Sequence, residues 1–125
     1  MPFVKINVSS HSLFSRRKLV RDVRGALVET LGIKEDHGHV VLYETGPFSR
    51  STHESRSRDF VFVEIFMFPG RDDRMKENLF RRLNEIIHGR TRVPERDILF
   101  VAVESERKNW AARGGVPISR LDLGY

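Results

Sequence analysis

Three positions in this chain are suited to moving a proton on a small anion: Pro2, Arg71 and Asp36. Pro2 follows the first methionine in "MPFVKINV", and a Met before so small a residue is ordinarily trimmed, which would leave a secondary amine at the start of the chain. Chance would also put a proline there, because at the first residue of a strand its missing N–H costs the ladder nothing. An amine works as a general base only when it is neutral. Burial and a nearby guanidinium both disfavour the ammonium form and lower its pKa. Arg71 stands in "FPGRDD", just past the turn made by Pro69 and Gly70 and just before a helix. A guanidinium fork beside unpaired backbone N–H groups suits a carboxylate. An ordinary salt bridge to Asp72 or Asp73 would use the same residue differently. Asp36 in "KEDHGH" reads as a turn former, matched in the second half by Asp97 in "PERDIL". A base held near neutrality, with a cation to hold the anion, can take a proton alpha to a carbonyl and return it elsewhere, which is tautomerisation.

Other chemistries find less support. No GxGxxG, P-loop, GxSxG or HExxH pattern occurs, so dinucleotide binding, nucleoside triphosphate hydrolysis, serine hydrolysis and zinc proteolysis have no motif behind them. His37 and His39 lie two apart but have no third ligand at metal spacing, and they read as a turn and strand pair. Ser9, Ser10 and Ser12 beside His11 lack an orienting acid and read as loop and helix-start residues. There is no cysteine, which removes disulfides and thiolates and suits a reducing, cytoplasmic location. Neither a membrane-length apolar run nor a signal-peptide pattern is present, so a soluble protein without membrane contact is expected.

The elements that must position these residues are written twice. "FVKINV" is a strand-like run, and Leu19, Val20, Val23, Ala26, Leu27 and Leu31 form one face of a helix from about Ser15 to Leu31, closed by Gly32. "HVVLYE" is the strand that follows. The second half repeats the order with "DFVFVEIFMF", a helix carrying Met75, Leu79, Phe80, Leu83, Ile86 and Ile87 on its apolar face, and "ILFVAVE". Asp72 or Asp73 suits the N-terminus of that helix, and Gly89 follows its last periodic residue. "VVLYE" at Val40 and "FVAVE" at Phe100 coincide at an offset of sixty. Two βαβ units with right-handed crossovers put both helices on one face of a four-stranded mixed sheet, an α+β two-layer sandwich. The expected organisation is one domain over 1–125, with a first repeat at about 2–44, a loop at 45–58, a second repeat at about 59–104 and a tail at 105–125.

In "VFVEIFMF" nearly every residue is apolar, so both faces of that strand are expected to be buried. Only one face has helices. The other is expected to pack against further copies of the chain, or else under its own C-terminal tail. The segment "TGPFSRSTHESRSRD" reads as a long surface loop, with a lid as one alternative. Twenty-two Lys plus Arg against 17 Asp plus Glu give a net charge of +5. The charges are spread, as in the solvated helix face "SRRKLVRDVR", so a small anionic substrate is favoured over nucleic acid.

The Pro behind Met1, the doubled βαβ order, "PGR" opening the second helix and the ending "VESERKNWAARGG" together resemble the tautomerase superfamily, which includes 4-oxalocrotonate tautomerase and macrophage migration inhibitory factor. Length and the "NW" plus glycine-rich tail are most similar to its malonate semialdehyde decarboxylase and chloroacrylic acid dehalogenase branch. That resemblance implies a trimer with sheets facing inward, Pro2 as catalytic base or acid, and neither metal nor organic cofactor. It aligns Arg71 with a carboxylate-binding arginine, Asp36 with an acid that positions or activates water, and Trp110 with an aromatic close to the pocket, with Arg113 in the same segment. Pro69 stands where that branch carries a second arginine, and "DHGH" replaces its usual run after the acid. The implied activity is therefore tautomerisation of small enol or 2-oxo acids, with a non-catalytic trimeric binding protein and a vestigial Pro2 as the alternative.

Overall fold

The computed structural model describes residues 1–124. Strand β1 (Phe3–Ser9), helix α1 (Arg16–Leu31) and strand β2 (His39–Thr45) form the first unit. Strand β3 (Val61–Met67), helix α2 (Asp73–Thr91) and strand β4 (Ile98–Glu104) form the second. A short hairpin, β5 (Ala111–Ala112) and β6 (Val116–Pro117), lies between one-turn 3-10 helices at Arg107–Asn109 and Ile118–Arg120. The sheet order is β2-β1-β3-β4, with β1 and β3 antiparallel at the centre and a parallel partner outside each. This is the expected two-layer α+β architecture.

Local chemistry sets the helix ends. Ser15 caps α1 by accepting the Lys18 N–H at 3.2 Å, and Gly32 closes it with φ 67°, a left-handed turn that glycine adopts without strain. Asp72 is the residue that caps α2, accepting the Met75 N–H at 2.8 Å, while Asp73 opens the first turn. The other end of α2 corrects the expectation for Gly89: the helix runs through it to Thr91, and Arg92 takes the left-handed cap at φ 64°. Its apolar side continues past the glycine, since Thr91 is buried with its hydroxyl donating to the Ile87 carbonyl at 2.6 Å, and Val93 is buried beyond it.

The core lies between the helices and one sheet face, where Val4, Ile6, Val61, Val63, Ile65, Leu19, Leu27, Leu79 and Leu83 are fully buried. Along β3 burial alternates rather than being continuous, with Phe62, Glu64 and Phe66 only partly covered. On the open face Val41, Tyr43, Leu99, Val101 and Val103 remain 37–44% exposed. The tail does not fold back over them. It packs at one end of the sheet, where Ile118 is buried and its N–H donates to the Trp110 carbonyl at 2.8 Å.

The long connection between the halves is pinned. Arg50 donates to Thr45 Oγ1 at 2.8 Å and Asn7 Oδ1 at 3.0 Å, and to the carbonyls of Arg58 and Phe60. From below, the fully buried Asp97 accepts the Ser57 N–H at 3.3 Å. A lid needs a segment that opens cheaply, and these bonds oppose opening. Arg50→Met is expected to destabilise the fold by about 1–3 kcal/mol, because several acceptors lose one shared donor. Thermal unfolding measures the loss, and amide hydrogen exchange should show protection lost across 50–60 while α1 and α2 keep theirs.

Candidate active site

Antiparallel pairing of β1 with β3 places the start of β1 beside the end of β3: Phe3 pairs with Phe66. Parallel pairing then brings the start of β2 and the end of β4 to the same end of the sheet, with Phe3 opposite His39 and Met67 opposite Glu104. Pro2, the turn before β2, and the segments leaving β3 and β4 therefore converge.

Pro2 is buried, and its carbonyl accepts the His39 N–H at 3.0 Å. Gly38 packs directly on it. A Cβ at Gly38 would stand 3.2 Å from Pro2 Cγ and from its carbonyl oxygen, and the φ of 79° there is already one that favours glycine. The terminal amine, carried by Met1 in this chain, has its pKa lowered from 8.0 to about 6, first by burial and then by the positive charges of Arg71 and Arg107. Neutral amine thus predominates at physiological pH.

Arg71 leaves the turn of Phe68, Pro69 and Gly70, whose φ is 118°. Neither aspartate beside it takes it as a salt bridge: Asp72 is engaged by the Met75 N–H, and Asp73 pairs with Lys76 at 3.9 Å. Burial lowers the pKa of Arg71 and the carboxylate of Glu104 opposes that shift. Glu104 is itself bridged by Lys76 from α2. Arg107 lies in the turn after β4 with its guanidinium 4.4 Å from the centre of the Phe68 ring. Phe68 meets Trp110 edge-on at 5.5 Å, and the Trp110 indole N–H donates to the Ser105 carbonyl at 3.1 Å. A cavity of about 360 Å³ opens here, lined by Phe68, Pro69, Glu106, Arg107, Lys108 and Ser119.

Of the residues expected to form a site, Pro2 and Arg71 come together around the amine, and Trp110 supports the aromatic wall beside them. Asp36 sits on the turn that holds Pro2, but its side chain is 86% exposed, 3.8 Å from His37 Nε2. Its environment does not match that of Asp97, which is fully buried. The offset of sixty that matches Val40 to Phe100 makes His37 the counterpart of Asp97. Arg113 is at the exposed tip of the β5–β6 hairpin with φ 48°, and its charge is not one of those acting on the amine. Arg107, Glu104 and Arg24 were not expected. Arg107 is hidden in the charge run "ESERKN", whose mixed signs read as a solvated surface. Among the described residues no group of three or more His, Asp or Glu is placed to hold a metal ion, and no helix is long and apolar enough to cross a membrane.

Residues 48–113 match the family described as tautomerase enzyme. No curated protein matches the chain. Among solved structures, a fused 4-OT wild-type symmetric trimer is 14% identical with a TM-score of 0.83, over 94% of this chain and 96% of that one. FG41 malonate semialdehyde decarboxylase inhibited by 3-bromopropiolate is 23% identical with a TM-score of 0.73, over 87% of each chain. Pt0534 inactivated by 2-oxo-3-pentynoate is 17% identical with a TM-score of 0.83, over 94% and 96%. At these identities the likeness is one of fold.

The electrostatics can be checked directly. Arg71→Gln removes one of the two cations that disfavour the ammonium, so the amine's pKa is expected to rise from about 6 toward 8.0 while burial still holds it below. The pH dependence of acylation at the terminal amine, read by peptide mass spectrometry, measures the shift; an unchanged midpoint would show that Arg71 does not act on this group.

Proposed function

The chain belongs to the tautomerase enzyme family, and from that premise we propose that it interconverts enol and keto forms of small 2-oxo acids. Pro2, exposed as the terminal residue once Met1 is removed, is the base and acid, and Arg71 binds the substrate carboxylate. The observation that carries this reading is the convergence of the start of β1 with Arg71 and Arg107, where burial and both guanidinium groups lower the pKa of the amine that Met1 carries and would act in the same direction on a prolyl amine one residue on. A prolyl amine whose pKa is held down in this way is free more often near neutrality and can accept a proton from a carbon made acidic by an adjacent carbonyl.

The roles follow from charge. Arg71 holds the carboxylate, and the positive field of Arg71 and Arg107 stabilises the enolate that forms as the proton leaves carbon. The same proton, now on the prolyl nitrogen, returns to a different atom of the enolate to complete the isomerisation. Asp36 faces solvent on the adjoining turn and is assigned the part of orienting a water or the distal end of the substrate; Trp110 supports the pocket wall, and Arg113 is assigned to contact substrate from the hairpin tip. The chemistry needs no metal or organic cofactor. We place the reaction in the cytoplasm and the protein in a homotrimer, as the 4-OT neighbour is described, with the open sheet faces turned inward and no role for nucleic acid or membrane.

Pro2→Ala is expected to lower kcat/KM for phenylenolpyruvate ketonisation by about 10²- to 10⁴-fold, the range for a lost general base. Arg71→Ala should raise KM. In the wild type kcat/KM should rise with pH through the pKa of the prolyl amine, and that midpoint should move up in Arg71→Gln, since the neutral amine is the active form and Arg71 disfavours its protonation. Wild-type turnover by Pro2→Ala, or Met1 retained in the intact mass of an active preparation, overturns the assignment. Val101→Glu, which puts a charge on the open face, should convert the trimer to monomer in sedimentation; an unchanged mass would place the interface elsewhere.

A further inference from the structure

The parts that meet Pro2 are not held by equal means. On one side β3 pairs with β1 through a regular ladder. On the other side the contact is the turn at 35–38, which has no ladder of its own until His39 enters β2. Its backbone carbonyls are gathered by a single side chain. Arg24, on α1, donates from Nη1 to the carbonyls of Glu35 at 2.9 Å and His37 at 3.0 Å, and from Nη2 to that of Gly38 at 2.8 Å. The turn so held meets Pro2 twice: Gly38 packs against its ring and carbonyl, and the His39 N–H donates to its carbonyl at 3.0 Å.

We infer that Arg24 is a positioning residue of the site: by clamping the 35–38 turn against Pro2 it fixes the direction of the terminal amine, and with the same turn it fixes where Asp36 stands. The inference rests on the reading of the prolyl amine as the base. Arg24 touches neither the amine nor the cavity lined by Phe68 and Arg107. It acts through Gly38, which packs so closely that an added Cβ would stand 3.2 Å from Pro2, so the turn supports the proline only while it is held in place.

A guanidinium is suited to this task because its planar fork donates to several acceptors at once in a fixed geometry. Three carbonyls left without it would turn to water, and the turn would move off Pro2. The charges that act on the amine are Arg71 before α2 and Arg107 after β4; Glu104 acts on Arg71, and Asp36, His37 and His39 are the titratable residues of the turn and strand start that meet Pro2. Arg24 is not among the charges that depress the amine. Its loss therefore leaves the local field in place and changes geometry and hydration, and the amine's pKa rises because burial is the largest cause of its depression. A displacement of even 1 Å from productive geometry can cost about 10²-fold in rate.

Arg24→Met keeps the apolar stem and removes all three donors, and Arg24→Lys keeps the charge and part of the donor set. In Arg24→Met, kcat for phenylenolpyruvate should fall about 10- to 100-fold, with KM little changed because Arg71 is carried by a different segment. The midpoint for acylation of the terminal amine should rise above that of the wild type, and residues 35–39 should exchange their amides faster. Arg24→Lys should recover part of all three. The inference is overturned if Arg24→Met keeps the wild-type amine midpoint and the wild-type exchange at 35–39. It is equally overturned if its losses only track a lowered melting temperature and Arg24→Lys restores none of them. The amine midpoint and the exchange rates need no turnover, so they decide on Arg24 even if Pro2→Ala proves the proline reading wrong.

Discussion

The antiparallel seam between β1 and β3 is the contact on which the rest depends. Among the described residues it is where the two βαβ units join within the sheet, and it sets which ends of which strands share a neighbourhood. A parallel seam would have put the chain's start next to the start of β3, far from Arg71 and Glu104. The observed seam instead puts a terminus at the middle of a four-stranded sheet, flanked by backbone on both sides. A chain end in such a position is one of the few ways to bury an amine without burying a side chain to carry it, and burial is the first cause of its depressed pKa.

The cost of this arrangement is a concentration of positive charge. Arg71 and Arg107 both act on the amine, and a protonated amine between them would be a third cation in a partly desolvated space. Keeping the amine neutral avoids the repulsion but costs stability at neutral pH, because folding must release a proton that the unfolded chain holds up to its ordinary pKa of 8.0, and the cost disappears as pH rises above that value. Glu104 sits behind Arg71 without cancelling it, because Lys76 bridges the carboxylate from α2. Arg107 is steadied differently, against the face of Phe68, a contact in which a cation keeps its charge available while its flat surface is packed. An anion arriving at this end of the sheet therefore meets Arg107 and an Arg71 whose charge Glu104 only partly offsets.

The sequence makes most of the scaffold readable because apolar spacing and caps act locally. The face from Leu19 to Leu31, the Ser15 and Asp72 caps and the Gly32 terminus all follow from residues within a few positions of one another. The pairing of Pro2 with Arg71 is not local, and it is suggested only by the chemistry of an amine beside a guanidinium and by the family resemblance. Gly89 misleads because a glycine is a helix end only when the apolar face ends with it, and here Thr91 and Val93 carry the face further. Asp36 and Asp97 both read as turn formers, yet the offset of sixty matches Asp97 to His37, and the Asp97 carboxylate is buried under a loop while that of Asp36 faces water. Arg24 and Arg107 are illegible for a different reason. Each sits in a charged run that is indistinguishable from solvated surface until the fold supplies the carbonyls or the aromatic face that it meets.

The open sheet face carries one feature that its apolar neighbours do not explain. Lys5 and Glu64 pair across the central seam at 3.8 Å, with the Lys5 ammonium also 5.1 Å from the centre of the Tyr43 ring. They stand among Val41, Tyr43, Val101 and Val103, residues that water alone would not select at 37–42% exposure. A cover that buried the valines would also strip water from this pair, at a cost of several kcal/mol per ion unless the geometry and extra hydrogen bonds offset it. Any apolar surface can satisfy the valines. Only a surface that brings polar groups to the position of Lys5 and Glu64 can satisfy the whole face, so the ion pair narrows what can dock there while the hydrophobic residues supply the affinity.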